Sequence, residues 1–262
     1  MKICLCTIAK NENLYIKEFV EYYKELGYNN IFLYDNNDID GERFEEVIKN
    51  KINEKFVYII NYRGMRSQIT AYIKCYDKNK NKYDWISFFD ADEFLELKPV
   101  NTKIQDFLGN KRYNKCDNIK INWILYEHNT YYYENISLFK RKNYTTTIIP
   151  AIKSTVRGKY KLNYWRNAGN PHSSNKRFKA CTSSGKSTSY KNFYVYPPDI
   201  KYAFLRHYYY KSFEEYCIKL KRGKADRDEN INKIIILYYK KNKNDYKKLK
   251  IMKKIFNLKE IN

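Results

Sequence analysis

Two carboxylates one residue apart, Asp90 and Asp92, stand in the segment Phe88-Phe89-Asp90-Ala91-Asp92-Glu93-Phe94. At a separation of about 4 Å and an effective dielectric near 20, two such charges repel by roughly 4 kcal/mol. A divalent cation converts that repulsion into binding, and hard oxygen ligands favour Mg²⁺ or Mn²⁺. An ion held there could grip a diphosphate and stabilise it as a leaving group. A D-x-D triplet is short and common, so its meaning depends on where it sits. Here it follows an apolar aromatic run, Trp85–Phe89, which reads as a buried strand.

Other polar residues fall at comparable places. Lys10, Asn11 and Glu12 follow the apolar run Ile3–Ile8, and Asp35, Asn36, Asn37, Asp38 and Asp40 follow Asn30–Tyr34. Arg63 and Gly64 follow Phe56–Ile60. Asp35 at a strand end could accept hydrogen bonds from a ribose hydroxyl or a base N–H. Asp38 and Asp40 suit a turn and a helix cap, and Glu12 suits a first helical turn. Of the three histidines, His207 heads a segment that continues through Lys211, Lys219 and Arg222, cations able to neutralise phosphate. His207 and Lys211 share a face if a helix starts that early. His207 and His172 are candidate third ligands for the metal of Asp90 and Asp92. Glu127, Glu93 and Glu134 are candidates for the base that deprotonates an acceptor.

These residues need a scaffold, and the first ninety positions supply its rhythm. Strands at 3–8, 30–34, 56–60 and 85–89 alternate with helical patterns at 14–26, 42–50 and 67–76; Gly27 stops the first helix and Asp40 caps the second. That alternation predicts an α/β fold with a mostly parallel sheet flanked by helices, whose ligands bind beyond the carboxyl ends of the strands. Further on, 120–126 and 194–196 read as strands, and 165–192, rich in Asn, Ser, Thr and Gly, reads as a long loop. Helical, basic sequence runs from 212 to the end. We expect a catalytic domain over 1–211 and a helical extension over 212–262, packed on that domain or on a membrane surface.

Hydrophobic residues at 43% exclude a disordered chain. The formal charge of +22 suggests an anionic partner, but 11 Arg among 51 basic residues leaves mostly lysine, and base readout leans on arginine. Nucleic acid is therefore the weaker expectation. The six cysteines show no C-x-x-C spacing, and reduced thiols are expected. No apolar run approaches the roughly 20 residues of a membrane span, so the expectation is a cytoplasmic protein, with the lysine-rich tail able to rest on anionic lipid.

Taken in order, the motifs resemble the nucleotide-sugar glycosyltransferases of the GT-A fold, in the branch of glycosyltransferase family 92 and related family-2-like bacterial enzymes. The resemblance runs through Lys10-Asn11-Glu12, Leu26-Gly27, Tyr34 to Gly41, Gln68 with Tyr72 and Cys75, and Trp85 to Phe94. It continues through Lys153, Ser154, Val156 and Arg157, then His172, and His207 to Gly223. Gly158 stands where a proline is usual after the arginine, and Asp38 where a serine is usual. The resemblance implies a Mn²⁺- or Mg²⁺-dependent, inverting hexosyltransferase. Its donor would be a nucleotide-diphosphate sugar, UDP-linked by preference, and its acceptor a glycan or glycolipid of cell-surface polysaccharide, lipopolysaccharide or glycoprotein synthesis. It implies that Asp35 binds the nucleoside and that Asp90 and Asp92 hold metal and diphosphate. It also implies that His172, His207 and Lys211 line the donor site, where we further expect Lys10, Glu12, Arg63, Gln68 and Arg222 to bind the nucleotide-sugar. Two rivals remain: a haloacid-dehalogenase-like phosphatase, whose D-x-D normally lies near the start of the domain and continues with Gly, Thr or Val, and a basic nucleic-acid-binding module.

Overall fold

The computed structural model describes residues 1–65, 67–142, 144–158, 172–223 and 231–258. Its first half follows the expected rhythm. β1 (Ile3–Ala9), β2 (Asn30–Asp35), β3 (Val57–Asn61) and β4 (Trp85–Phe88) form a parallel set in the order β3-β2-β1-β4. α1 (Asn13–Leu26) and α2 (Phe44–Asn53) connect the first three strands, and α3 (Ser67–Asn79) leads into β4. α1 buries Tyr15, Ile16, Phe19, Val20 and Tyr23, the 3–4 spacing of an amphipathic helix. Burial of such side chains stabilises by about 2 kcal/mol each. Gly27 ends the helix at φ 102°, a left-handed cap conformation that glycine adopts without Cβ strain. On the opposite face, Ala71, Tyr72, Cys75 and Tyr76 of α3 pack with Cys4, Cys6 and Phe88.

The second half is antiparallel to the first where they meet. β5 (Glu93–Leu97) follows β4 directly, then the short α4 (Ile104–Leu108), β6 (Asn118–His128), β7 (Tyr144–Arg157), β8 (Ala180–Cys181) and β9 (Ala203–Tyr210). The sheet order is β3-β2-β1-β4-β7-β6-β9-β5, with β8 beside β6. β7 runs antiparallel to β4 and β6, while β9 runs parallel to β6 and antiparallel to β5. The mixed α/β sheet thus extends well past the parallel units. α5 (Phe213–Arg222), α6 (Ile231–Lys241) and α7 (Tyr246–Phe256) follow and share a small cluster of Cys217, Ile235, Ile251 and Met252. Among the described residues, no helix is long and apolar enough to cross a membrane.

Four local expectations need correction. His207 lies on β9 and the next helix begins at Phe213, so His207 and Lys211 do not share a helical face. The helix start is set by Ser212, whose hydroxyl accepts from Glu215 N–H at 3.2 Å, with Glu214 and Glu215 in the first turn. Asp40 does not cap α2, which begins at Phe44 with Arg43 at the cap position. Tyr194 forms only an isolated bridge to Ala151, not part of a strand 194–196. Against the expectation of reduced thiols throughout, Cys116 and Cys181 are joined in a disulfide linking the segment just before β6 to β8, while Cys4, Cys6, Cys75 and Cys217 are buried thiols. Of the loop expected over 165–192, positions 165–171 lie outside the described residues, and the rest is irregular apart from β8.

Candidate functional site

The turn between β4 and β5 carries the paired carboxylates, and α1 fixes it from below. Tyr23 Oη donates to Glu93 O at 2.8 Å and accepts from Leu95 N–H at 3.1 Å, so the strand leaving the turn is pinned by a buried hydroxyl. Glu93 is wholly enclosed beneath the turn and accepts from Asp90 N–H at 3.0 Å. Burial pushes its carboxyl well above the ordinary range, with Asp90 and Asp92 adding to the rise and Lys153 opposing it. That position locks the turn and gives Glu93 no access to a bulky acceptor, unlike the role of base expected for it.

Asp90 and Asp92 turn to different partners. Asp90 accepts from Gln68 Nε2 at 2.8 Å and Tyr72 Oη at 3.0 Å on α3, and pairs with Lys153 Nζ of β7 at 2.6 Å. Lys153 also lies 3.5 Å from Glu93. Burial alone would lower the Lys153 ammonium, but Asp90 and Glu93 outweigh it and raise its pKa. Asp92 is buried and pairs with Lys219 Nζ of α5 at 2.6 Å. Its other oxygen faces His207 Nε2 at 3.6 Å, beyond hydrogen-bond length. Burial favours the neutral acid at Asp92, yet Lys219 and His207 hold it well below its ordinary pKa. Burial lowers the His207 pKa and leaves a neutral imidazole.

Strand register explains how these groups meet. β5 and β9 pair Glu93 with His207, which delivers the imidazole to the turn. Among the described residues, Asp92, Glu93 and His207 are the group of side chains placed to hold a metal ion, with ligand atoms all within 4.8 Å of one another. The donor set fits a divalent cation: an ionised carboxylate and a neutral imidazole whose facing atoms do not bond each other, beside Glu93 Oε1, which is buried without a hydrogen bond. His172 does not join this group but lies beside Tyr72, which holds Asp90. It is buried with its ring centroid 6.4 Å from Tyr72, and burial, reinforced by Lys153 and Lys120, keeps it neutral.

Next to this group, the exit of β1 meets α5. Glu12 is buried and pairs with Lys211 Nζ at 2.9 Å and Arg222 Nη1 at 2.7 Å. Burial opposes its charge, but those two cations hold its pKa below normal. The carboxylate therefore does not cap α1; Glu42 does, accepting from Asn13 N–H at 2.8 Å. Arg222 also donates to the carbonyls of Lys10 and, at 3.5 Å, of Asn11. Asn11 sits at φ 52°, a left-handed conformation that asparagine tolerates better than most residues. Lys10 turns its ammonium outward to Asp38 at 2.9 Å. A pocket opens here, lined by Glu12, Tyr209, Lys211, Glu215, Lys219 and Arg222 among others. Beneath it, Arg141 donates to Lys211 O at 3.2 Å, Tyr15 Oη at 2.8 Å and Glu215 Oε2 at 3.0 Å, fixing the backbone that bears Lys211.

The remaining candidates lie around this centre. Asp35 ends β2, which flanks β1 on the side opposite β4, so the two strand ends are about 10 Å apart. Asp35 is buried and accepts from Asn37 N–H at 2.8 Å, and burial raises its pKa. Exposed Arg63 donates to Asn37 O at 3.0 Å. Glu127 is half-buried near the end of β6, in register with Tyr210. Lys153 was visible in the sequence only as part of a resemblance, and Lys219 only as one phosphate-neutralising cation among several. The structure makes them the direct partners of Asp90 and Asp92.

The pattern of glycosyltransferase family 92 matches residues 1–248. Among curated proteins, a glycosyltransferase family 92 protein of Oryza sativa subsp. japonica is 32% identical over 109 residues, 41% of this chain and 18% of that protein. One of Ricinus communis is 30% identical over 111 residues, 42% of this chain and 20% of its own length. The matched segments thus span about a fifth of those relatives. Among solved structures, TarS of S. aureus is similar at a TM-score of 0.38 and 9% identity, covering 94% of this chain and 44% of that one. GalNAc-T7 with UDP, GalNAc and Mn²⁺ is similar at a TM-score of 0.31 and 16% identity, covering 49% and 24%.

Proposed function

The chain belongs to glycosyltransferase family 92, and on that premise we propose that it transfers a sugar from a nucleotide-diphosphate donor, UDP-linked by preference, to a hydroxyl of a glycan or glycolipid. The observation that carries this reading is the facing pair Asp92 and His207, 3.6 Å apart, joined through Lys219 to a pocket lined by Lys211 and Arg222. Asp92 and His207 would hold Mn²⁺ or Mg²⁺, with Asp90 beside them. Such an ion, when bound, supplies Lewis-acid stabilisation of the leaving diphosphate.

In this reading Asp35 accepts from the nucleoside, and Lys211, Lys219 and Arg222 meet diphosphate oxygens with charge-assisted hydrogen bonds. Gln68, Tyr72 and Lys153 hold Asp90 still so that its exposed edge can orient the donor. The acceptor oxygen bonds to the anomeric carbon while the electron pair of the old carbon–oxygen bond leaves with the diphosphate. The acceptor proton passes to a carboxylate, for which Glu127 has the solvent access that Glu93 lacks. Attack opposite the leaving group inverts the anomeric centre. Residues 1–211 form the catalytic domain, and 212–262 form an extension that lends Lys219 and Arg222 to the pocket. The lysine-rich tail from Tyr239 onward would rest on anionic lipid or pack on the catalytic domain. The Cys116–Cys181 disulfide favours an oxidising setting over the cytoplasmic one expected from composition and motifs.

Titration calorimetry tests the central claim. UDP with Mn²⁺ should bind the native chain, and Asp92→Asn should lose most of that affinity. Equal affinity in the two proteins would end this reading of the site.

A further inference from the structure

Phe193, Tyr194 and Tyr196 leave 42%, 44% and 76% of their surface to solvent, yet they stand together. Ring centroids are 4.5 Å apart for Phe193 and Tyr194 and 6.3 Å for Tyr194 and Tyr196. Contiguous exposed aromatics mark binding surfaces more often than chance. The backbone beneath them is fixed. Lys120, fully buried, donates its ammonium to Ser189 O at 2.7 Å and to Asn192 O. Val195 N–H donates to Pro150 O at 2.9 Å, and Asp199 N–H to Asn122 Oδ1 at 2.9 Å. A buried charge that gives its bonds to one loop's carbonyls holds these rings in the open by construction.

Register places the rings relative to the reaction centre. β4 pairs with β7 over Ser154 to Arg157, and beyond Phe88 the chain turns away into Asp90 and Asp92. Tyr194 takes the next stretch of that β7 edge by bridging Ala151. Ala151 is three residues from Ser154, about 10 Å along the strand. The ring cluster therefore continues the line of β4 past the carboxylate turn. Two residues from Ala151 stands Lys153, whose ammonium holds Asp90.

We propose that Phe193, Tyr194 and Tyr196 form the floor of the acceptor subsite, occupied by a pyranose ring of a saccharide acceptor; this rests on the transferase reading above. An aromatic face is apolar and weakly negative. A pyranose offers it a face of C–H groups while its hydroxyls point sideways to water or to the tyrosine hydroxyls. Three rings match one or two sugars in area. They fall far short of the roughly 800 Å² per partner that a stable protein interface buries.

Saturation-transfer NMR tests the assignment, using methyl β-D-galactopyranoside, cellotriose and chitotriose with protein pre-loaded with UDP and Mn²⁺. At least one saccharide should receive saturation on its ring C–H protons. The double variant Tyr194→Ala/Tyr196→Ala should weaken that binding by about fivefold or more, with UDP affinity and melting temperature unchanged. Undiminished saccharide signals in the variant, or none from native protein that binds UDP, would overturn the assignment. Failure of the native protein to bind UDP would instead bring down the transferase reading beneath it.

Discussion

Glu12 offers the sharpest test of how the pocket is charged. It is one buried carboxylate between two cations, Lys211 at 2.9 Å and Arg222 at 2.7 Å. Glu12→Gln keeps the shape and removes the charge, leaving the ammonium and guanidinium close together with no anion between them. Breaking a buried pair costs about 3–5 kcal/mol, and the lower end applies because Arg222 keeps some solvent contact. For a chain of this size about 3 kcal/mol lowers the melting temperature by roughly 6–12 °C. If Lys211 and Arg222 receive a diphosphate, UDP supplies the missing anion. At a hundredfold excess over its dissociation constant it returns about 2.7 kcal/mol. UDP should also bind the variant up to about tenfold tighter, since no internal carboxylate competes for the cations, a gain of about 1.4 kcal/mol. Thermal melts with and without UDP, paired with calorimetry, measure both effects. A variant that melts with the native protein, or that binds UDP more weakly, refutes the idea that these cations wait on an anion.

Other consequences are more local. Lys120 has its pKa lowered to about 8 by burial, so between that value and the unfolded value near 10.4 the unfolded chain binds more protons and stability rises with pH. Relative to Lys120→Met, the native protein should gain about 1.6 kcal/mol from pH 8 to 9.5, read from urea titrations; parallel pH profiles would refute the buried charge. A Cβ on Gly158 would lie 1.9 Å from Tyr83 O, so Gly158→Ala should destabilise by at least about 1–3 kcal/mol in the same titrations. Its insensitivity would mean that the turn is not as tight as described. The Cys116–Cys181 bond closes a separation of 65 residues; Cys116→Ser/Cys181→Ser should lose about 2–4 kcal/mol, with the native protein falling to the variant's melting temperature in dithiothreitol. Equal melting in oxidising buffer would show that the bond contributes nothing.

The parallel half was legible because its signals are local: short apolar strands, one amphipathic helix after another, and Gly27 where α1 must stop. The carboxylate turn at the end of β4 was legible for the same reason, since a buried strand running into Asp-x-Asp needs no distant partner to be noticed. β9 was not. Its eight residues are all buried or half-buried, with none of the alternation that marks a half-exposed strand, and the spacing of His207 and Lys211 imitates a helix. β7 escaped too, because its first half is exposed and only its last residues enter the sheet core.

The cations of the site were named in the sequence, but their pairing with particular carboxylates was illegible for a different reason. In a chain so rich in lysine, one more lysine carries almost no information, and Lys219 reaches Asp92 across 127 residues of sequence while Lys211 reaches Glu12 across 199. Only burial separates them from their neighbours. Yet the site could not fold without such groups. Asp90, Asp92 and Glu12 crowd the exits of two adjacent strands around the buried Glu93, and ionised carboxylates withdrawn from water require partners. Lys153, Lys219, Lys211 and Arg222 provide them from β7, from the exit of β9 and from α5. Part of the net charge of +22, which composition alone assigns to a solvated surface, is therefore internal counter-charge. Three of these cations, Lys211, Lys219 and Arg222, are the ones a diphosphate would engage in the proposed reaction, while Lys153 stays with Asp90. Each would exchange a carboxylate for a phosphate oxygen, and an ion held by Asp92 and His207 would take over the charge that Lys219 now balances.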